Sequence, residues 1–298
     1  MKNILISIIM PIYNSKAGIK CCLGSMSSQL SPEIQIIVVD NGSSDESESF
    51  LKENYPNVVL IRNHENLGAA AARNQGLELA EGKYVMFIDC DVALGKDFFT
   101  ILKTTLRQLP RQIAGVSPKI IDKNSGRIFS CGLFVSSIYR AHDIGRGKAA
   151  GRFPRRFTID GPNSCCAVFK REYLEKIKEN GRYFDEDFFF LFEDADLTLR
   201  LKQNRYASLF VPNLICYHRS GSSGFSKQFR RFLCFRNRWY MILKYNRGRR
   251  LILFLSRSFL YDFSRTLHFA FTNRYFTLAV KDIYKKIAKQ THIIDYLK

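Results

Sequence analysis

The feature that most constrains the fold of this chain is a series of unbroken apolar runs near its start. Such runs, without alternating polar residues, predict strands that are buried on both faces. The predicted strands are 4–11, 34–40, 58–62 and 84–89, and the helices predicted between them are 18–28, 44–54 and 69–80. This alternation predicts an α/β fold in which a Rossmann-like, mainly parallel sheet is covered by helices on both faces.

Polar clusters follow three of these strands, at 11–14, 40–45 and 89–91. Ligands of parallel α/β sheets bind beyond the carboxyl ends of the strands, so these clusters predict a site. Asp89 and Asp91 are the most informative pair, because burying ionised carboxylates is costly without a compensating cation. Mg²⁺ or Mn²⁺ bound together with a substrate phosphate would supply that charge. The alternative is that Asp-x-Asp simply opens a turn.

The positive charge is concentrated towards the C-terminal end. The chain carries a net charge of +19 in 298 residues. Residues 1–139 hold 14 Lys and Arg against 13 Asp and Glu, whereas residues 219–298 hold 18 against 3. From residue 226 onward the basic residues interleave with Phe, Leu and Tyr at helical spacing. This pattern predicts a helical surface that faces a polyanion: a membrane, a nucleic acid or a phosphate-bearing substrate.

The remaining regions are less regular. Residues 110–160 are expected to be irregular, with a Gly- and Arg-rich surface loop at 143–156, before a helix from about Asp194 and a strand at 207–218. No run of eighteen uncharged apolar residues occurs, and the start of the chain is interpreted as a strand rather than a signal peptide. The eight cysteines lack ligand-like spacing. These features predict a cytoplasmic protein with reduced thiols.

Five motifs, taken in order, resemble family-2 inverting glycosyltransferases with the GT-A fold. They are Pro-Ile-Tyr-Asn at 11–14, Val-Asp-Asn-Gly-Ser-Ser-Asp at 39–45, Asn-Leu-Gly-Ala-Ala-Ala-Ala-Arg-Asn-Gln-Gly at 66–76, Asp-Cys-Asp at 89–91 and Glu-Asp at 193–194. The segment 188–200 and His-Arg-Ser-Gly-Ser at 218–222 are similar to bacterial rhamnosyltransferase-like enzymes of polysaccharide assembly. The resemblance implies a catalytic domain at 1–222, with a nucleotide-sugar-binding half (1–110) and an acceptor-binding half (111–222). Residues 223–298 would form a basic, aromatic helical extension.

The resemblance also implies which residues bind the nucleotide-sugar. They are Pro11, Tyr13, Asn14, Asp40, Asn66, Gly68, Arg73 and Asp89. Asp40 would hydrogen-bond the nucleobase, although Asp-Asn-Gly is also an ordinary turn sequence. Arg73 would pair with a phosphate or with Asp89. The alanines around Arg73 are interpreted as helix packing against the sheet.

The metal site and the catalytic base are implied in the same way. Asp91 would bind Mg²⁺ or Mn²⁺ directly, Asp89 would contact the ribose or the metal, and His218 would complete the metal site. Glu193 and Asp194 are the candidates for the base, and family analogy favours Asp194. Adjacent carboxylates raise one another's pKa, which suits a base near neutral pH. Asp196 is instead assigned to an i, i+4 ion pair with Arg200, and acidic residues also suit a helix N-terminus.

The function predicted from the sequence is metal-dependent, inverting transfer of a sugar from dTDP-rhamnose or a UDP-sugar. The acceptor would be a glycan or a polyprenyl-diphosphate-linked glycan of cell-surface polysaccharide synthesis. Residues 223–298 would hold the enzyme peripherally at the inner face of the cell membrane, by binding anionic lipid. No nucleic-acid partner is expected, because a nucleic-acid-binding protein would leave the acidic clusters unexplained. A nucleotidyltransferase would need a Gly-rich basic loop at 11–16, and the chain has none there.

Overall fold

The computed structural model describes residues 4–219, 221 and 224–295, with no side chains described beyond residue 288. The chain forms two compact units. The first unit consists of Met1–Val135, Ala141–Phe189 and Glu193–Ser222, and the second of Ser136–Arg140, Phe190–Phe192 and Ser223–Lys298. The functional division of the chain stays a prediction. It assigns nucleotide-sugar binding to residues 1–110, acceptor binding to 111–222 and membrane association to 223–298.

The first unit contains all the strands of the described chain. They are β1 (Ile6–Ile12), β2 (Ile34–Asp40), β3 (Val59–Arg62), β4 (Tyr84–Ile88), β5 (Val92–Leu94), β6 (Ile113–Asp122), β7 (Ile128–Ser130), β8 (Leu133–Val135), β9 (Ala141–Asp143), β10 (Phe157–Ile159), β11 (Cys166–Lys170) and β12 (Ala207–His218). Its helices are α1 (Lys16–Met26), α2 (Ser47–Asn54), α3 (Gly68–Glu78), α4 (Phe98–Arg107), α5 (Arg171–Lys176) and α6 (Glu193–Gln203), with 3₁₀ turns at Ser27–Gln29 and Glu186–Phe188.

A mixed sheet forms the centre of the first unit, in the order β10-β12-β6-β11-β4-β1-β2-β3. The strands β4, β1, β2 and β3 pair in parallel, as the apolar runs predicted. β11 is antiparallel to both β4 and β6, while β12 is parallel to β6. β8 and β9 form a separate two-stranded sheet. The parallel prediction therefore holds for the first four strands, and the later strands make the sheet mixed.

Both faces of the sheet are buried, as predicted. Ile8 packs in a cluster with Leu23 of α1 and Leu102 of α4. Its neighbour Ile9 packs in a second cluster, with Ala72 of α3 and Leu201 of α6. Successive side chains of a strand point to opposite faces, so only an unbroken apolar run fills both cores. Each fully buried isoleucine contributes about 1.5–3 kcal/mol to this packing.

The prediction of an irregular region at 110–160 was wrong for β6, which is a regular strand of 10 residues. The apolar pattern of β6 is interrupted by Ser117, Pro118 and Lys119, and for this reason the sequence did not predict the strand. Pro118 lies opposite Val211, beside a register shift in β12, and an irregularity of this kind tolerates the missing N–H of proline. The loop predicted at 143–156 is confirmed, since residues 146–156 have no helix or strand and are mostly exposed.

The helices of the second unit are α7 (Lys227–Tyr245), α8 (Arg249–Thr272) and α9 (Phe276–Asp295). Arg238 of α7 is buried, forms an ion pair with Asp262 of α8 and donates a hydrogen bond to the Ile138 carbonyl oxygen at 2.8 Å. The rings of Phe235 and Phe269 stack with their centroids 4.5 Å apart, and this packing joins α7 to α8. Among the residues that the structure describes, no helix is long and apolar enough to cross a bilayer.

Candidate active site

The three predicted polar clusters lie at one edge of the sheet. Ile12 at the end of β1 is in register with Asp40 at the end of β2. β4 is the other neighbour of β1, and Asp89 follows its last residue. Because these strands are parallel, their carboxyl ends meet at the same edge. The structure therefore places Pro11, in β1, along with Asp40 and Asp89 at a common edge.

Asp40 is the last residue of β2, directly before the turn that follows this strand, and it is fully buried. Its Oδ1 accepts a hydrogen bond from the Ser43 N–H at 2.9 Å, while its buried Oδ2 has no hydrogen-bond partner among the described residues. The Asn14 N–H donates to Ser43 Oγ at 2.9 Å, and Asn14 Oδ1 accepts from the Ser44 N–H at 2.8 Å. The adjoining Tyr13 is exposed. The ends of β1 and β2 thus place an aromatic side chain beside a buried acceptor.

Gly68 begins α3 at a very close backbone contact. Its φ is +87°, and a Cβ at this position would lie 2.4 Å from the Phe189 carbonyl oxygen. The positive φ would strain a residue with a side chain, and the short distance would make its Cβ clash with Phe189, so only glycine fits here. Asn66 Oδ1 accepts the Gly68 N–H at 3.0 Å, and the Ala70 N–H donates to the Phe189 carbonyl at 3.2 Å. In this structure, Asn66 and Gly68 shape the start of α3 and bring it against Phe189.

Arg73 of α3 joins three separate parts of the first unit. Its side chain is almost completely buried. Its Nη1 donates to Glu193 Oε1 at 2.6 Å, and its Nη2 donates to Asp89 Oδ1 at 3.0 Å. Nη2 also lies 3.5 Å from the Ser164 carbonyl oxygen. A planar guanidinium suits such a site because it presents several donors in fixed directions. The predicted contact between Arg73 and Asp89 is confirmed.

Asp194 and Glu193 are adjacent in sequence but differ in environment. Glu193 is buried and bound by Arg73, whereas Asp194 is half-buried and forms no ion pair with any described residue. The Ser164 N–H donates to Asp194 Oδ2 at 3.5 Å. Burial and the negative charge of Glu193 together raise the pKa of Asp194 to about 7, although the Arg73 guanidinium opposes this shift. Asp194 can therefore exchange a proton near neutral pH.

Asp91 and His218 form the part of the site that could hold a divalent cation. Their Oδ2 and Nε2 atoms lie 3.3 Å apart, close enough for both to reach one ion. Burial lowers the pKa of His218 and the hydrogen bond to Asp91 raises it, with a net upward shift. His218 Nδ1 is buried without a hydrogen-bond partner in the described part of the chain. A carboxylate oxygen paired with an imidazole nitrogen is a donor set that Mn²⁺ accepts, so these residues fit the ion.

Asp89 interacts with both the Asp91–His218 pair and Arg73. Burial raises its pKa to about 6, although the Arg73 guanidinium opposes this shift. Residues 4–219, 221 and 224–288 contain no group of three or more His, Cys, Asp or Glu side chains arranged to hold a metal ion. A substrate phosphate would therefore have to complete the coordination, as is usual for Mg²⁺. Cys90, between the two aspartates, packs against the core.

Two residues of the site were not among the sequence predictions. Ser164 contacts both Arg73 and Asp194 through its main chain. Asn74 exchanges hydrogen bonds with the main chain of Phe184, each at 2.9 Å, and donates to Glu186 Oε1 at 2.9 Å. The sequence feature that could have identified Asn74 was its position beside Arg73 in the 66–76 motif.

The remaining sequence interpretations near the site concern Asp196 and the 218–222 motif. Asp196 is fully buried and pairs with Arg200 at 3.0 Å, so its structural assignment is confirmed. Arg219 follows His218 directly, and its N–H donates to the Asp91 carbonyl oxygen at 3.0 Å. Ser220 and Ser222 of that motif lie outside the described residues.

Comparison with known proteins identifies the family. The model of the family described as "Glycosyl transferase family 2" matches residues 7–178. A glycosyltransferase of Escherichia coli, YibD, is 38% identical over 102 residues, which cover 33% of this chain and 29% of YibD. The poly(ribitol-phosphate) beta-glucosyltransferase of Bacillus spizizenii is 40% identical over 98 residues, 31% of this chain and 16% of that protein. The aligned segments therefore span less than a third of either relative.

A solved structure supports the fold. The mannosyltransferase PcManGT from Pyrobaculum calidifontis, in complex with GDP-Man and Mn²⁺, superposes with a TM-score of 0.56 at 16% sequence identity. The superposition covers 96% of this chain and 75% of that one. At this identity the likeness establishes a shared fold, and the predicted GT-A fold is confirmed.

Replacement of Arg73 by methionine should destabilise the protein strongly. Arg73→Met leaves Glu193 and Asp89 without their cation, and breaking a buried ion pair in this way costs about 3–5 kcal/mol. Denaturant unfolding at neutral pH measures the loss. Lys52→Met is the control: Lys52 pairs with Glu48 at 2.7 Å on the surface, where such a pair contributes about 0–1 kcal/mol. Equal effects of the two substitutions would contradict the structural role of Arg73.

Proposed function

Since this chain belongs to glycosyl transferase family 2, we propose that it transfers a sugar from a nucleoside-diphosphate-sugar to an acceptor hydroxyl, with inversion at the anomeric carbon. One observation carries the proposal: Arg73 gathers Asp89 and Glu193 at the sheet edge, beside an Asp194 whose pKa is near neutral. We propose dTDP-rhamnose or a UDP-sugar as donor. The acceptor would be a glycan or a lipid-linked glycan of cell-surface polysaccharide synthesis, while the Bacillus spizizenii relative is named for transfer involving poly(ribitol-phosphate).

The donor nucleotide is proposed to bind at the ends of β1 and β2. The buried Asp40 Oδ2, which lacks a partner among residues 4–219, is a suitable acceptor for the ring N–H that uracil and thymine share. Tyr13 and Pro11 would pack around the base, and Asn14 would lie near the ribose. Asn66 and Gly68, at the start of α3, would lie beside the nucleotide. The same base contact serves both donor classes.

The diphosphate is proposed to lie between Asp91, His218 and Asp89. Asp91 and His218 would hold Mg²⁺ or Mn²⁺, and Asp89 would reach the ribose or the cation. When bound, the cation supplies positive charge that stabilises the departing nucleoside diphosphate. The Mn²⁺ and GDP-Man of PcManGT support this arrangement. His218 must be neutral to act as a ligand, so its raised pKa implies that cation binding releases a proton.

Asp194 is proposed as the base that takes the proton from the attacking hydroxyl. Glu193 is a weaker candidate because Arg73 holds its Oε1 at 2.6 Å, so this oxygen is already engaged. Asp194 has no such partner in the described chain, and burial brings its pKa to about 7. A base with a pKa close to the working pH combines a sufficient deprotonated fraction with adequate strength. The family match also disfavours the nucleic-acid-binding and nucleotidyltransferase alternatives.

Nucleotide binding should depend on a divalent cation. In a thermal-shift panel of nucleoside diphosphates and nucleotide-sugars, one base class should raise the melting temperature more with Mn²⁺ than with EDTA. Asp91→Asn should weaken that Mn²⁺-dependent binding at least about tenfold, since loss of even a residue supporting a metal ligand costs 10–100-fold. His268→Ala changes an exposed histidine of the second unit and serves as control. If no nucleotide stabilises the protein, the donor proposal fails.

Asp194→Asn should abolish sugar transfer and leave nucleotide affinity near that of the unaltered protein. The amide cannot accept the proton, whereas the donor contacts proposed for Asp40 and Asp91 are unchanged. In the unaltered enzyme, kcat/KM should fall as the pH drops below about 7, because protonation inactivates the base. Initial rates across pH 5–9 and nucleotide titrations test this. Parallel loss of transfer and nucleotide binding would show that Asp194 is structural.

We also propose that the second unit binds an anionic membrane surface. One face of α8 exposes a row of large apolar side chains at helical spacing: Ile252, Leu253, Phe259, Leu260, Phe263, Leu267 and Phe271. Leu260 and Phe271 are 82% and 85% exposed. Exposed arginines at 249, 250 and 257 lie on the same helix. Apolar insertion combined with basic charge is how interfacial helices bind anionic lipid.

Sedimentation with phosphatidylglycerol vesicles tests the membrane proposal. The double variant Leu260→Glu/Phe271→Glu should lower vesicle binding at least about tenfold, because each buried Leu or Phe contributes about 1.5–3 kcal/mol. Leu79→Glu, a partly exposed leucine of the first unit, is the matched control. If the double variant still binds vesicles normally, or instead loses self-association, then α8 covers another surface and the proposal is wrong.

A further inference from the structure

A basic cavity of about 830 Å³ opens in the first unit, away from the candidate active site. Five cationic residues line it: Lys83, Arg111, Lys170, Arg171 and Lys176. Three carboxylates also line it: Glu81, Glu172 and Glu175. The lining therefore carries an excess of two positive charges. Its volume lies within the range of small-ligand sites, which is about 300–1,000 Å³.

The cations of this cavity are not neutralised by the protein itself. Within the described chain, none of the five forms an ion pair. Glu175 pairs instead with Lys178, which does not line the cavity. Hydrogen bonds to main-chain oxygens hold two of the five in place: Arg171 donates to Ala80, and Lys170 donates to Pro110 at 2.8 Å. Two of the five cations are thus held in place, and the lining keeps an excess of two positive charges.

Lys170 is the most constrained of these residues, since only 8% of its surface is exposed. Its Nζ lies 5.2 Å from the centroid of the Tyr173 ring, and Lys176 Nζ lies 4.9 Å from the same ring. Burial lowers the pKa of Lys170; Glu172 opposes this shift and Lys83 adds to it. A buried cation without a counter-charge reduces stability. An anionic ligand in the cavity would restore the missing charge.

The cavity lies at the opposite end of β4 from Asp89. Lys170 is in register with Tyr84 at the start of β4, whereas Cys166 is in register with Ile88 at its end. At about 3.3 Å per residue, the five steps from Tyr84 to Asp89 separate the two sites by roughly 16 Å. A ligand of this cavity therefore does not occupy the proposed donor site.

We propose that this cavity binds the phosphate group of a compact anion. Lysine and arginine are the usual phosphate-binding side chains, and here they converge in one recess. The three glutamates would repel the further charges of a long polyanion, so the lining favours an isolated phosphate or diphosphate. Two sources carry that group: soluble phosphates and the headgroups of phospholipids. This proposal does not depend on the proposed transferase activity.

The test is a ³¹P-NMR titration of the full chain with sodium pyrophosphate in EDTA, which suppresses cation-dependent binding at the donor site. Lys170→Met should weaken binding at least about tenfold, because removing one partner of a buried charge pair costs that much or more. Lys119→Met is the matched control, since Lys119 is 7% exposed and donates to the Ala150 carbonyl at 3.0 Å outside the cavity. It should bind as the unaltered protein does.

Lys176→Glu provides a second variant that should fold normally, because Lys176 is exposed. It should weaken pyrophosphate binding severalfold, and added salt should weaken binding to the unaltered protein. Phosphatidylglycerol vesicles form the second arm, in the Leu260→Glu/Phe271→Glu background that removes the proposed α8 contribution. Vesicle binding that Lys170→Met and Lys176→Glu reduce, and that Lys119→Met does not, would identify the headgroup as the source. Absence of binding to both probes, or equal binding by Lys170→Met and Lys119→Met, would overturn the proposal. Asp194→Asn should bind pyrophosphate normally, which separates this test from that of the transferase.

Discussion

The guanidinium of Arg73 is the interaction on which the candidate site depends. It is buried between Glu193 and Asp89, which come from the start of α6 and the end of β4. Burying a cation is costly unless carboxylates and carbonyl oxygens surround it, and α3, β4 and α6 meet here to supply them. The main chain of Ser164 completes the arrangement and also reaches Asp194. Arg73 therefore makes one site from segments that lie far apart in sequence.

The same interaction separates the roles of neighbouring carboxylates. Arg73 binds Glu193 and Asp89, while Asp194 keeps a pKa of about 7 and Asp91 pairs with His218. The four carboxylates thus experience different charges within one small region. Differences of this kind allow a single site to hold a cation and also to accept a proton. The proposed mechanism uses that difference.

Much of the fold was predictable because local periodicity reports burial. The strands at 34–40 and 207–218 were predicted with the bounds that the structure gives them. The strand β6 was missed because Ser117, Pro118 and Lys119 interrupt its apolar run although all three are buried. The structure accommodates Pro118 within β6 through a register shift in the neighbouring strand β12. No local pattern in β6 encodes that shift.

The sequence by itself determined the parallel arrangement of β1 to β4 and the polar clusters at their ends. Both follow from short-range rules: apolar runs form buried strands, and parallel strands end at a common edge. Only the tertiary structure decided that Arg73 bonds Glu193, 120 residues away, that Asn74 holds Phe184, and that Lys170 lies in an uncompensated basic cavity. Such contacts depend on the strand order and on the position of β11, which lies antiparallel between β4 and β6. Those properties arise from packing of the whole unit, and the spacing of residues along the chain does not specify them.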